Sequence, residues 1–292
     1  MKEEIRTKIA PIVESYDPAD PGLTAGALRD VWLGFEAKSI GGIKAEERAK
    51  QETVGIPVPV LTAIGNEIGK VARKNVDEFV PLVRLLWDDY GREGRVVAVF
   101  PLGKMELEKP QLIMPLTMEL CRSCHTWEDA DQLAMRSVEP IVRKDPEEWL
   151  PSIEPWLVDE NRWVRRTGVT VAGRLPMKQP TYTTRCLELA GRLLLDREEV
   201  VKKATSFAIR LSARGDIEPV KDFLASRVPP TDPAATWLLC DVIRSMAKSF
   251  LPEFTPLIPL YNQWLASETL NSRERKSVES AVKTLQKYAQ TF

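Results

Sequence analysis

Apolar residues recur at spacings of three and four along most of the chain, and runs of strict alternation are almost absent. That period places the apolar side chains on one face of a helix, so the pattern predicts an all-α protein. Proline, glycine and short polar clusters interrupt it at 17–24, 41–42, 75, 91–94, 109–110, 145–146, 178–180, 215, 228–232 and 267–272. Such breakers separate helices of about 10 to 18 residues. The predicted helices lie near 2–15, 25–38, 45–53, 57–73, 76–89, 93–107, 111–124, 127–143, 146–157, 160–174, 181–195, 197–213, 216–226, 233–249, 253–266 and 272–289. Short connections between them imply antiparallel neighbours.

One internal repeat stands out. Asp159-Glu160-Asn161-Arg162-Trp163-Val164-Arg165-Arg166 aligns over eight positions with Asp196-Arg197-Glu198-Glu199-Val200-Val201-Lys202-Lys203, 37 residues later. Each block runs into a small-residue apolar helix, GVTVAGRL at 168–175 and ATSFAIRL at 204–211. A period near 37 with two helices per unit is the pattern of HEAT-like repeats, an α-α solenoid. Each unit leaves a face that only a neighbour can cover, so the units stack, and the expected form is a superhelix with a concave face. The chain then reads as one elongated domain over 1–292, with N-terminal helices at 1–44, core repeats at 45–215 and C-terminal repeats at 216–292 that include an extra hairpin near 216–268. Glycines 65, 69, 168 and 173 fall inside predicted helices, where they permit close helix packing.

Composition narrows the class. The 292 residues are 43% apolar and 28% charged, a soluble globular balance. Lys plus Arg number 41 against 42 Asp plus Glu, a net charge of −1 that excludes a uniformly basic nucleic-acid protein. Four cysteines are too few for a disulfide framework, so a reduced, cytoplasmic setting is expected. Met1 to Val13 lacks the apolar stretch of an export signal, and apolar runs such as Val96 to Leu102 fall far short of the roughly 20 residues a membrane helix needs. No membrane partner is expected.

Three segments carry candidate chemistry. Trp127 and Asp131 stand four apart and share a helix face, an aromatic plane beside a carboxylate. Trp163-Val164-Arg165-Arg166, preceded by Arg162, sets guanidinium groups at the start of a later helix. Lys202-Lys203-Ala204-Thr205-Ser206-Phe207, followed by Arg210, repeats that basic start and adds a ring.

Together these segments resemble the DNA alkylation repair family, the HEAT-like-repeat alkylpurine DNA glycosylases of AlkD type. The family's Trp and Asp separated by three residues match Trp127 and Asp131, and its arginine after a Trp-x-x step matches Arg166. Its basic-Ala-x-x-Trp helix matches Lys203-Ala204 through Phe207, with Phe in place of Trp. Gly55-Ile56-Pro57-Val58-Pro59, Trp87-Asp88 with Arg92-Glu93, and Ser272-Arg273-Glu274 are similar to three further family segments. Family members carry an aromatic in the helix before the Gly-Ile segment, whereas 44–54 has none.

The resemblance implies hydrolysis of the N-glycosidic bond of cationic alkylated purines in duplex DNA, by a monomer without cofactor or metal, in the cytoplasm at the nucleoid. Asp131, Trp127 and Arg166 would be the catalytic residues. Arg162, Arg165, Lys202, Lys203, Phe207, Arg210 and Arg273 would bind DNA. The alternative is a non-catalytic HEAT-repeat scaffold that binds DNA structure or a protein, in which Asp131 caps a helix, Trp127 is core and the basic pairs bond the neighbouring repeat.

Charge sorted by segment fits a local polyanion site. Residues 159–178 hold five basic and two acidic side chains, 196–214 five and three, and 271–292 five and two, a surplus of eight against a remainder of −9. That split suits a basic concave face on an acidic body. Cys121-Arg122-Ser123-Cys124-His125 spells a c-type haem attachment, but that chemistry needs export, and His125 is the only histidine. Chance composition at a helix end, or a redox-sensitive thiol pair, are the readings left.

Overall fold

A computed structural model describes residues 2–35 and 53–289, and every element among them is helical. The described residues form two compact units, divided between Lys144 and Asp145. The predicted helix at 45–53 lies outside them, except for its last residue.

The first unit contains helices Lys2–Glu14, Pro21–Leu33, Val58–Ala72, Val76–Asp89, Gly91–Met105, Pro110–Arg122, Trp127–Leu133 and Glu139–Lys144. Ile5, Ile9 and Val13, spaced by four, are the buried face of the first, as the apolar period requires. That helix packs on Val58–Ala72, which packs on Gly91–Met105, and Pro21–Leu33 packs on Val76–Asp89 in a second layer. Gly91–Met105 is buried nearly all round, so it is the central helix of the unit.

Several elements are shorter or more broken than the sequence expectation, and two of the differences have a clear local cause or form. The second helix starts at Pro21, inside the segment expected to break it, because the Asp20 carboxylate accepts from Leu23 N–H at 3.3 Å and Pro21 occupies the first turn, where its missing N–H costs nothing. The segment expected as one helix over 127–143 is split by a π turn at Ala134–Val138.

The second unit is a regular stack. Helices Arg162–Arg174, Glu199–Ser212, Thr236–Arg244 and Ser272–Ala289 contact one another in order, while Thr183–Gly191, Ile217–Ala225 and the Leu251–Leu257 turns form the covering layer. With Gly91–Met105 and Trp127–Leu133 counted, successive repeats begin at residues 91, 127, 162, 199, 236 and 272, steps of 35 to 37 residues. The period inferred from two octapeptides thus recurs in the positions of helix starts along both units, as expected of helical repeats.

Close packing inside the stack depends on small residues. A Cβ on Gly173 would lie 2.4 Å from both Cα and Cβ of Ala208 on the next helix, and one on Gly65 would lie 2.6 Å from Phe100 Cβ. Gly173→Ala is therefore expected to cost about 1–3 kcal/mol by overpacking. Urea denaturation checks this. Adding Ala208→Gly should recover part of the loss, and a Gly173→Ala protein as stable as wild type would show that the contact yields.

One buried charge gives the fold a pH signature. Glu106, at the end of Gly91–Met105, is buried, and its Oε2 has no hydrogen-bond partner. Burial pushes its carboxyl up to about 7 from an ordinary 4.5. The folded state then holds a proton that the unfolded state releases. Stability is full below about pH 4.5, falls as pH rises, and above pH 7 has lost about 3 kcal/mol at most. Glu106→Gln should flatten this slope in denaturation curves between pH 5 and 8, and an unchanged slope would place its origin elsewhere.

Candidate functional site

In the first unit the Trp127–Leu133 helix is held at its start by two acid–base pairs. Glu128 accepts from Arg92, Nε to Oε2 at 2.9 Å and a second guanidinium nitrogen to Oε1 at 3.0 Å. Asp129 accepts from Arg95 at 3.0 Å and from the backbone N–H groups of His125 at 2.9 Å and Thr126 at 3.2 Å. Both arginines are buried on Gly91–Met105, Arg92 at 1% exposure. Such buried pairs fix geometry because each partner, once desolvated, needs the other.

Beside Arg92, the buried Glu93 carboxylate collects four donors. They are Thr53 Oγ1 at 2.7 Å and the backbone N–H groups of Gly55 at 3.0 Å, Ile56 at 3.2 Å and Val54 at 3.3 Å. Gly55 has φ of 84°, a left-handed conformation that favours glycine. Trp87 donates from Nε1 to Ser123 Oγ at 2.8 Å, and Arg95 lies over its ring at 5.3 Å. The Gly55-Ile56, Trp87 and Arg92-Glu93 segments are therefore parts of one buried scaffold under the 127–133 helix.

The scaffold leaves Trp127 45% exposed, an unusual state for an indole in a packed repeat, with Asp131 half-buried one turn on. Behind them, Cys121 and Cys124 are buried, and burial raises the Cys124 thiol well above its ordinary value. His125 sits 3.3 Å from Arg95, and partial desolvation together with that cation lowers its ring below the ordinary histidine value. Both thiols are buried, so the Cys-x-x-Cys-His spelling has a structural reading here. Among the described residues no group of three His, Cys, Asp or Glu could hold a metal ion.

In the second unit the structure sorts the predicted basic residues into two kinds. Several join repeats. Arg165 forms a bidentate pair with Asp196 at 2.6 and 3.2 Å and donates to the carbonyls of Asp159 and Glu160. Arg162 pairs with Glu198 at 3.2 Å. Arg166, 8% exposed, donates to the Val200 carbonyl at 2.5 Å, and Arg210 donates to the Ser245 carbonyl at 2.9 Å. The bonds to Glu198, Asp196, Val200 and Ser245 link residues 31 to 36 apart in sequence, about one repeat.

The others face outward. Lys203 is exposed and pairs with Glu199 at 2.6 Å. Phe207 is 45% exposed, with the Arg210 guanidinium 5.4 Å from its ring. Lys202 and Arg273 come together in a groove of about 790 Å³. Trp127 and Asp131 thus belong to the first unit, and Arg162, Arg165, Arg166, Lys202, Lys203, Phe207, Arg210 and Arg273 to the second.

Known proteins fix the kinship. The family model described as DNA alkylation repair enzyme matches residues 36–236, more than half of the chain. The chain belongs to that family. No curated protein matches it significantly in sequence. Among solved structures, smu.31 from Streptococcus mutans is similar at TM-score 0.48 and 16% identity, over 65% of this chain and 99% of that one. A designed armadillo repeat protein in complex with a (KR)4 peptide is similar at TM-score 0.35 and 15% identity, over 95% of this chain and 99% of that one. No helix among the described residues is long and apolar enough to cross a membrane.

For this DNA alkylation repair family member, Arg92, Arg95, Glu128 and Asp129 are the residues that sequence reasoning missed as parts of the site. The signal was there in Trp127-Glu128-Asp129-Ala130-Asp131, where three carboxylates flank the aromatic and only one was assigned a role.

Proposed function

We propose that this protein hydrolyses the N-glycosidic bond of cationic alkylated purines in duplex DNA, with Asp131 and Trp127 at the reacting sugar. The observation that carries this reading is the exposed Trp127 on a helix whose next two residues are pinned by Arg92 and Arg95. A packed repeat has no structural need for an indole in solvent, and a rigid helix start fixes where that indole and Asp131 stand. Membership of the DNA alkylation repair family supports DNA as the partner.

The chemistry asks for little else. A purine alkylated at N3 or N7 already carries positive charge and leaves without a general acid, so charge develops on the deoxyribose as the bond breaks. An anion held near the sugar would stabilise that oxocarbenium-like state, and Asp131 is given that role in this reading. Trp127 presents an aromatic face to a cationic lesion or sugar, worth about 1 kcal/mol or more once desolvated. Arg166 serves in this reading as a positioning residue, since its bond to the Val200 carbonyl ties the Arg162–Arg174 helix to the helix that carries Lys202, Lys203 and Phe207.

Duplex DNA with a single N7-methylguanine tests the proposal. Incubation with the protein should leave an abasic site, scored as strand cleavage after alkali. Strands that stay intact at saturating protein would refute the glycosylase reading and leave the scaffold alternative.

A further inference from the structure

Apart from the residues expected to meet DNA, the second unit carries a cavity of about 250 Å³ that the proposed reaction does not use. It opens between the end of Thr183–Gly191, the connection over 226–232 and the start of Thr236–Arg244. Leu194, Leu195, Pro229, Pro230, Ala235 and Leu239 form its apolar lining. Leu195 stands 51% exposed at the rim, and Val158, at the equivalent position one repeat earlier, is 74% exposed. Each directly precedes the acid that opens its octapeptide, Asp196 or Asp159. One exposed aliphatic residue is ordinary on a protein surface, but one that rims a cavity, followed by another on the neighbouring repeat, makes an apolar edge.

The cavity also holds an unpaired cation. The Arg227 guanidinium lies 3.9 Å from the Phe223 ring, and its Nη1 donates to Ser226 Oγ at 2.9 Å and to the Phe223 carbonyl at 3.4 Å. Among the described residues it forms no ion pair. Its neighbours in the covering layer differ, since Arg185 and Arg192 share Glu154. Glu188, the carboxylate whose charge reaches Arg227, is held by Arg185 at 3.0 Å. Asp232, the carboxylate in the lining, accepts from the Ala234 N–H at 2.8 Å. Nε and Nη2 of Arg227 are therefore left to donate, and this edge of a guanidinium matches a carboxylate in a bidentate pair.

We propose that this cavity docks a protein partner through a short segment in which a large apolar side chain stands beside a carboxylate. The apolar side chain enters against Leu195, Pro229 and Leu239, and the carboxylate meets Nε and Nη2 of Arg227. A volume of about 250 Å³ suits one such side chain, and falls below the roughly 300–1,000 Å³ of sites that enclose whole small molecules. The apolar edge continues to Val158, so the occupant extends beyond the cavity, as a peptide can and a free small acid cannot. A buried apolar anchor with a charge pair beside it is the usual centre of a protein interface. The proposal does not rest on the chemistry at Asp131.

The test is selection of a phage-displayed random dodecapeptide library on the full-length protein, followed by fluorescence anisotropy of the most enriched peptide. Enriched sequences should place Leu, Ile, Phe or Trp within two positions of Asp or Glu. Arg227→Gln should weaken binding about 10-fold, and Leu195→Glu, at an exposed position that the core does not need, by at least as much. Unlabelled, unmodified duplex DNA should leave the peptide bound, and sedimentation velocity should show the same species at all protein concentrations. Enrichment of no peptide or of peptides without an acidic residue, or wild-type affinity in either variant, would overturn the proposal. Displacement of the peptide by duplex would give the cavity to DNA, and a concentration-dependent dimer dissolved by Leu195→Glu would give it to a second copy; either result would overturn it too.

Discussion

Asp129→Ala is expected to destabilise the first unit by about 3–5 kcal/mol, because it strands Arg95 as a buried, unpaired cation and removes the acceptor for two backbone N–H groups. The loss follows from asymmetry. Breaking one partner of a desolvated pair leaves the other uncompensated, whereas replacing both by apolar groups restores a dry, packed contact. The double variant Asp129→Leu/Arg95→Met should therefore recover part of the single-variant loss in urea denaturation. Only part is expected back, since the His125 and Thr126 N–H groups would still lack their acceptor and Arg95 also donates to the Trp87 carbonyl at 3.3 Å. If Asp129→Ala proves as stable as wild type, the 127–133 helix does not depend on this pair, and its use as a rigid platform for Trp127 fails with it.

How far the chain can be read without its fold depends on the distance over which each feature is decided. Helix content and the repeat are local. Pro, Gly and capping residues mark most boundaries within a few positions, and the two octapeptides at 159–166 and 196–203 mark the starts of equivalent helices. The fate of the basic residues is decided one repeat away. Arg165 and Lys202 look alike in sequence, since both open a helix after Val, yet Arg165 meets Asp196 while Lys202 faces a groove. A partner 31 residues downstream leaves no trace in local spacing, although the repeat period points to it: Arg165 and Arg162 each bond an acid about one repeat on.

The site shows the same division. Trp127 and Asp131 were legible from their spacing of four, which any helix turns into a shared face. What holds that face was not. Glu93 reaches 37 to 40 residues back to Thr53, Gly55 and Ile56, and Arg92 reaches 36 forward to Glu128. Buried acid–base pairs of this kind look in sequence like any charged stretch, and the family resemblance that singled out Arg92-Glu93 did not show that the pair is buried or what it bonds.

The largest catalytic effect expected is at Asp131. Its replacement by Asn keeps size and hydrogen-bonding shape but removes the negative charge that opposes the developing cation on the sugar. Loss of one such preorganised electrostatic contact slows a reaction by about 10²–10³-fold, roughly 3–4 kcal/mol of barrier. DNA affinity should change little, because Asp131 is not a phosphate contact and a carboxylate near DNA, if anything, opposes binding. The direct measurement is the single-turnover rate of N7-methylguanine release from duplex DNA, wild type against Asp131→Asn, with both proteins saturating and folding confirmed by circular dichroism. The account predicts release by wild type and a rate at least 100-fold lower in the variant; equal rates, or no release by wild type, would contradict it.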